Sequence, residues 1–84
     1  MKNIFIKDYW EEEDITFYVH FIGQIAVRQV EVSTNKVLLT TFEKPLNGDA
    51  MLYDQELNDL DLNQEDFISE EDFNKILDRY GLIG

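Results

Sequence analysis

The sequence predicts an α+β fold: a four-stranded antiparallel meander with a C-terminal helix packed on one face, in two layers. Three observations predict it. Residues 15–22 alternate apolar and polar side chains, Gly23-Gln24 separates two strand-like runs, and Phe73, Ile76, Leu77 and Tyr80 recur at i, i+3, i+4 and i+7 behind a Ser69 cap. Four strands fit within residues 2–43, an acidic connector runs over 44–68, and a helix occupies about 70–80. One domain is expected over residues 1–84, because a chain of this length supports a single core.

The first strand is read over residues 3–10, where Ile4, Phe5 and Ile6 open a partly alternating run, and Glu11 to Asp14 breaks it. In the second, Ile15, Phe17, Val19 and Phe21 share one face while Thr16, Tyr18 and His20 share the other. Gly23 tolerates positive φ, so Gly23-Gln24 suits a type II′ hairpin into the third strand, residues 25–32. There the apolar phase runs Ile25, Val27 and then Val30, Val32, a slip that predicts a β-bulge at Arg28-Gln29. Ser33 to Lys36 turns the chain into the fourth strand, residues 37–42, and Pro45 and Gly48 mark the exit from the sheet. Residues 50–60 form either a short helix or an irregular crossing segment, with Leu52, Tyr53, Leu57 and Leu60 inward. Ser69 with Asp72 makes a capping box, Glu70, Glu71 and Asp72 sit at the positive end of the last helix, and Gly81 follows as its C-cap.

Composition excludes several functions. The chain has no cysteine, so it has no disulfide, no thiolate metal site and no cysteine nucleophile; this fits a reducing cytoplasm. Seven basic and eighteen acidic residues give a net charge of −11, which repels nucleic acid and anionic membranes. The surplus is uneven: residues 1–48 hold seven acids and five bases, net −2, and residues 49–84 hold eleven acids and two bases, net −9. His20 is the single histidine and has neither a cysteine nor a second histidine to work with; an exposed or partly covered sheet position is expected for it, and no catalytic residue is assigned. No cofactor and no enzymatic activity are expected.

Two segments carry the signature of a protein interface. Tyr9 and Trp10 directly precede Glu11, Glu12, Glu13 and Asp14, so aromatic area stands beside charges that would steer a basic partner. Tyr53 and Phe67 interleave in the same way with Asp54, Asp59, Asp61, Glu65 and Asp66. Together they predict one electronegative binding face. A basic protein toxin domain fits it, a nuclease above all, because a nuclease must be cationic to hold phosphates. Direct nucleic-acid or membrane contact is not expected.

Residues 61–72 resemble the calcium loop of an EF-hand, with Asp61, Asn63 and Glu65 at the first, third and fifth ligand places and Asp72 at the last. Asp66 replaces the turn glycine, and Asp72 is one methylene shorter than the usual glutamate. A calcium-binding module is therefore the alternative reading, and the capped helix accounts for Ser69 and Asp72 without a metal.

The whole chain resembles the small acidic immunity proteins of bacterial toxin–immunity systems, including those of contact-dependent growth inhibition. The likeness rests on size, charge, the strand-rich first half with Val27-Arg28-Gln29-Val30-Glu31-Val32, and the helix start Ile68-Ser69-Glu70-Glu71-Asp72-Phe73. It implies a cytoplasmic antitoxin that binds and neutralises a cognate toxin domain.

Overall fold

A computed structural model describes residues 2–82; Met1, Ile83 and Gly84 lie outside the described residues. Four strands form the meander: β1 (Asn3–Trp10), β2 (Ile15–Ile22), β3 (Ile25–Val32) and β4 (Val37–Thr41). A two-residue hairpin follows, β5 (Leu46–Asn47) with β6 (Ala50–Met51), then single 3-10 turns at Leu57–Asp59 and Gln64–Asp66, β7 (Phe67–Ile68) and α1 (Glu70–Arg79). β7 joins the main sheet as a fifth antiparallel strand, giving the order β4-β3-β2-β1-β7. The α+β class and the four-strand meander are as the sequence predicts; the fifth strand and the small hairpin are additions.

Hairpin geometry follows from residue type. Gly23 sits at φ 61, and Ile22 pairs with Ile25 across the two-residue turn, as a first-position glycine in a type II′ turn requires. The bulge in β3 falls one residue earlier than predicted. His20 pairs with Arg28 but Phe21 pairs with Ala26, so Val27 is the extra residue, and its carbonyl accepts from the Phe42 N–H at 2.8 Å. The bulge resets the alternation, so that Gln29 and Glu31 oppose Val19 and Phe17 while Arg28 and Val30 oppose His20 and Tyr18.

Both sheet faces are covered, each by a different means. On one, Phe5 and Val30 pack with Phe73 and Leu77 of α1. On the other, Ile6, Val19, Phe21 and Ala26 pack under Leu52 and Leu57 of an irregular crossing segment. The helix therefore lies on the Tyr18 and His20 face, the more polar side of β2. That is possible because two aromatic rings and a satisfied imidazole replace the aliphatic surface: Phe5 stacks on His20 at 4.3 Å, and Phe73 lies 5.3 Å from Phe5.

The helix is stopped as well as started. Ser69 Oγ accepts from the Asp72 N–H at 3.0 Å, although among the described residues Asp72 does not return the bond, so the expected box is half formed. At the other end Gly81 adopts φ 65, its N–H donates to Asp78 and that of Leu82 to Leu77. This is the Schellman arrangement, with Leu82 also packed in the Leu77 cluster. Tyr80, expected inward, stands 39% exposed because it is the C-cap and lies past the last full turn. Among the described residues no helix is long and apolar enough to cross a membrane.

His20 is a correction to the sequence reading. It is only 8% exposed. Its Nδ1 accepts from Arg28 Nε at 3.1 Å, and its Nε2 meets Asn3 Oδ1 at 2.8 Å. Arginine can only donate, so the proton resides on Nε2 and the ring is neutral. Burial, then the Arg28 guanidinium, hold His20 below the ordinary imidazole value, with Glu70 opposing.

The sign of the pH effect follows. Above about pH 6.5 the ring is neutral folded and unfolded, and its contribution to stability is complete. As pH falls below that value the unfolded chain binds the proton first, and stability is lost down to the depressed folded value. His20→Gln is therefore expected to flatten the acid-side decline in melting temperature relative to the parent chain. An equal slope in the two proteins would overturn the neutral assignment.

Candidate protein-binding surface

The crossing segment is held to the sheet largely by two glutamines of the β2–β3 hairpin. Gln29, 3% exposed, donates from Nε2 to the Met51 carbonyl at 3.0 Å and to Glu31 Oε2 at 3.1 Å, and its Oε1 accepts from the Tyr53 N–H at 3.0 Å. Gln24 accepts at its backbone carbonyl from Leu57 N–H and at Oε1 from Asn58 N–H. An irregular strand over a sheet cannot form a ladder with it, so side-chain amides take the place of ladder partners. Among the described residues no buried side-chain polar atom lacks a partner.

Because the segment crosses without filling the whole face, an apolar cleft of about 240 Å³ remains. Phe17, Val19 and Leu52 line its interior, and Trp10, Tyr53, Asp8 and Asp54 are among its remaining walls. Trp10 is 52% exposed. It is fixed by an edge contact with Phe17 at 5.3 Å and by a hydrogen bond from Nε1 to Asp8 Oδ2 at 3.2 Å. Tyr53 is fixed in turn by an edge contact with Phe21 and by donation from its hydroxyl to the Glu56 carbonyl at 3.0 Å.

The structure thus brings together one part of each predicted segment: Trp10 from the first, Tyr53 and Asp54 from the second. It does not gather them all on one face. Tyr9 points to the opposite side of β1 from Trp10, as strand alternation requires, and its hydroxyl donates to Asp14 Oδ1 at 2.8 Å. Glu11, Glu12 and Glu13 occupy the exposed tip between β1 and β2; the Glu11 carbonyl accepts from the Asp14 N–H at 3.3 Å, and the three carboxylates make no hydrogen bond or ion pair among the described residues.

Several expected binding acids have local structural work. Asp14, in left-handed conformation at φ 53, also accepts from Thr34 Oγ1, joining two turns at one end of the sheet. Asp59 Oδ2 accepts from Glu56 N–H, and Asp66 Oδ2 from Asn63 N–H, each closing a 3-10 turn. Asp61 and Glu65 are exposed and unpaired among the described residues. The turn containing Glu65 and Asp66 abuts β1.

The calcium ligands of the alternative reading are not brought together. Asn63 and Asp66 cap each other, Phe67 and Ile68 pair with Ile6 and Phe5, and Asp72 lies inside the first helical turn. Among the described residues no group of three or more histidine or carboxylate side chains is placed to hold a metal ion.

Sequence reasoning missed Asp8, Gln24 and Gln29. Asp8 carries a readable signal, since it sits two residues before Trp10 and so shares its face. Comparison with protein-family models, with curated proteins and with solved structures finds no match.

Proposed function

We propose that this chain is an immunity protein that binds and neutralises a cationic toxin domain, a nuclease by preference, in the cytoplasm. It acts by association and not by turnover. One observation carries the reading: a half-exposed tryptophan and a tyrosine flank an apolar cleft on a molecule of net charge −11. Such a site offers a desolvated anchor with a charged surround, the division of labour that gives interfaces both affinity and rapid encounter. A nuclease surface that holds phosphates presents the complementary charge.

The test uses a purified cationic nuclease domain of a bacterial toxin, the product of a neighbouring gene being the first to try. An equimolar amount of the chain is expected to abolish its nuclease activity. Glu12→Lys with Asp54→Lys is expected to slow association by about tenfold or more at low ionic strength and to weaken the salt dependence. Both positions are exposed and neither caps a turn, so the fold should persist. An unchanged association rate and salt slope would refute the steering surface.

A further inference from the structure

The outer edge of β1 is incompletely paired. Its inner edge meets β2 along all eight residues, whereas β7 covers only Phe5 and Ile6. The Lys2 carbonyl accepts from Gly23 N–H at 2.8 Å, which fixes the parity of the ladder. In an antiparallel pair the hydrogen-bonded residues recur every second position, so the backbone groups of Ile4, Ile6, Asp8 and Trp10 turn towards β2. Those of Tyr9 turn outward. Among the described residues neither the N–H nor the carbonyl of Tyr9 has a hydrogen-bond partner.

This open edge borders the cleft, because Asp8 and Trp10 flank Tyr9 and both line the cavity. Acids frame it: Glu11, Glu12 and Glu13 lie at the tip of the strand, and the turn bearing Glu65 packs alongside. An open edge would equally template pairing with a second copy. Two chains of net charge −11 repel each other, so the field selects a cationic strand in place of a copy of the chain.

We infer that the outer edge of β1 at Tyr9 seats an extended lysine- or arginine-rich segment of the partner, which continues the row begun by β7. The inference rests on the cationic-partner reading above. The segment exchanges two hydrogen bonds with Tyr9, and a residue adjacent to that contact, sharing the face of Trp10, places an apolar side chain in the cleft. Because the open stretch is short, backbone pairing sets register and direction, while the cleft and the charges supply most of the affinity.

The probe is a short peptide of alternating lysine and valine, compared with the same peptide N-methylated at the alternate amides that would face Tyr9. The unmodified peptide is expected to bind and to slow hydrogen exchange of the Tyr9 amide. The methylated one should bind about tenfold more weakly, the effect of losing modest hydrogen bonds. Equal binding by both peptides without protection of the Tyr9 amide overturns the edge inference and leaves the electrostatic reading standing. A glutamate peptide that binds as well as the lysine one defeats the electrostatic reading itself. A dimer of the chain alone that protects the same amide overturns the inference in favour of self-pairing.

Discussion

Phe73→Ala is expected to lower the unfolding free energy by about 3 to 5 kcal/mol, the range for deleting a fully buried aromatic ring. Phe73 has no exposed surface. It touches the Phe5 ring, lies 5.9 Å from His20, and carries the Arg28 guanidinium 5.0 Å above its own centroid. Its loss therefore opens a cavity and also uncovers an imidazole and a cation whose placement depends on that ring. Small domains are stable by only about 5 to 15 kcal/mol, so the variant should be marginal at 37 °C. Urea unfolding measures it: a midpoint within error of the parent would show that the helix does not clamp this face. Phe73→Leu keeps most of the volume and should cost distinctly less.

Gln29→Ala should be the second most damaging change, and its damage should be local. Truncation strips partners from the Met51 carbonyl and the Tyr53 N–H, and each partly buried group left unmatched costs about 1 to 3 kcal/mol. Hydrogen exchange provides the discriminating measurement. Amides of residues 51–60 should exchange faster, while those of α1 keep their protection, because among the described residues the hydrogen bonds of the Gln29 side chain go to Glu31, Met51 and Tyr53 and none goes to the helix. Equal loss of protection on both faces would mean that the two coverings unfold as one unit. Gln29→Glu is the harsher test, since it sets a second carboxylate against Glu31, whose own carboxyl burial already pushes up while the Gln29 amide opposes that push.

Local chemistry made most of the fold legible. The alternation from Ile15 to Phe21, the glycine turn and the Ser69 cap each act over a few residues, and each appears where the sequence places it. The covering of the sheet was not legible, because alternation marks two faces without saying what lies on either. His20 shows the difficulty: a polar residue on the less apolar face of a strand suggests exposure, and its burial depends on Asn3, Arg28 and Phe73, none of them near in sequence. β7 was hidden for a similar reason, two residues being too short to show a period. The placement of the bulge at Val27 required knowing its cross-strand partners.

The proposed surface divides along the same line. Composition singled out Trp10, Tyr53 and Asp54, and these line one cleft. It could not separate carboxylates that meet solvent from those that close turns, because Asp54 and Asp59 are chemically alike and differ only in the amide each happens to face. Capping signals exist in hindsight: Glu56 with Asp59, and Asn63 with Asp66, are both spaced by three.

The attachment of the crossing segment through Gln24 and Gln29 separates contour from field. Primary amides carry no net charge, so dissolved salt can screen the electrical attraction of this surface while the hollow between Trp10 and Tyr53 keeps its outline. A complex formed here would then assemble sluggishly in concentrated salt and yet, once docked, be gripped by the same apolar walls.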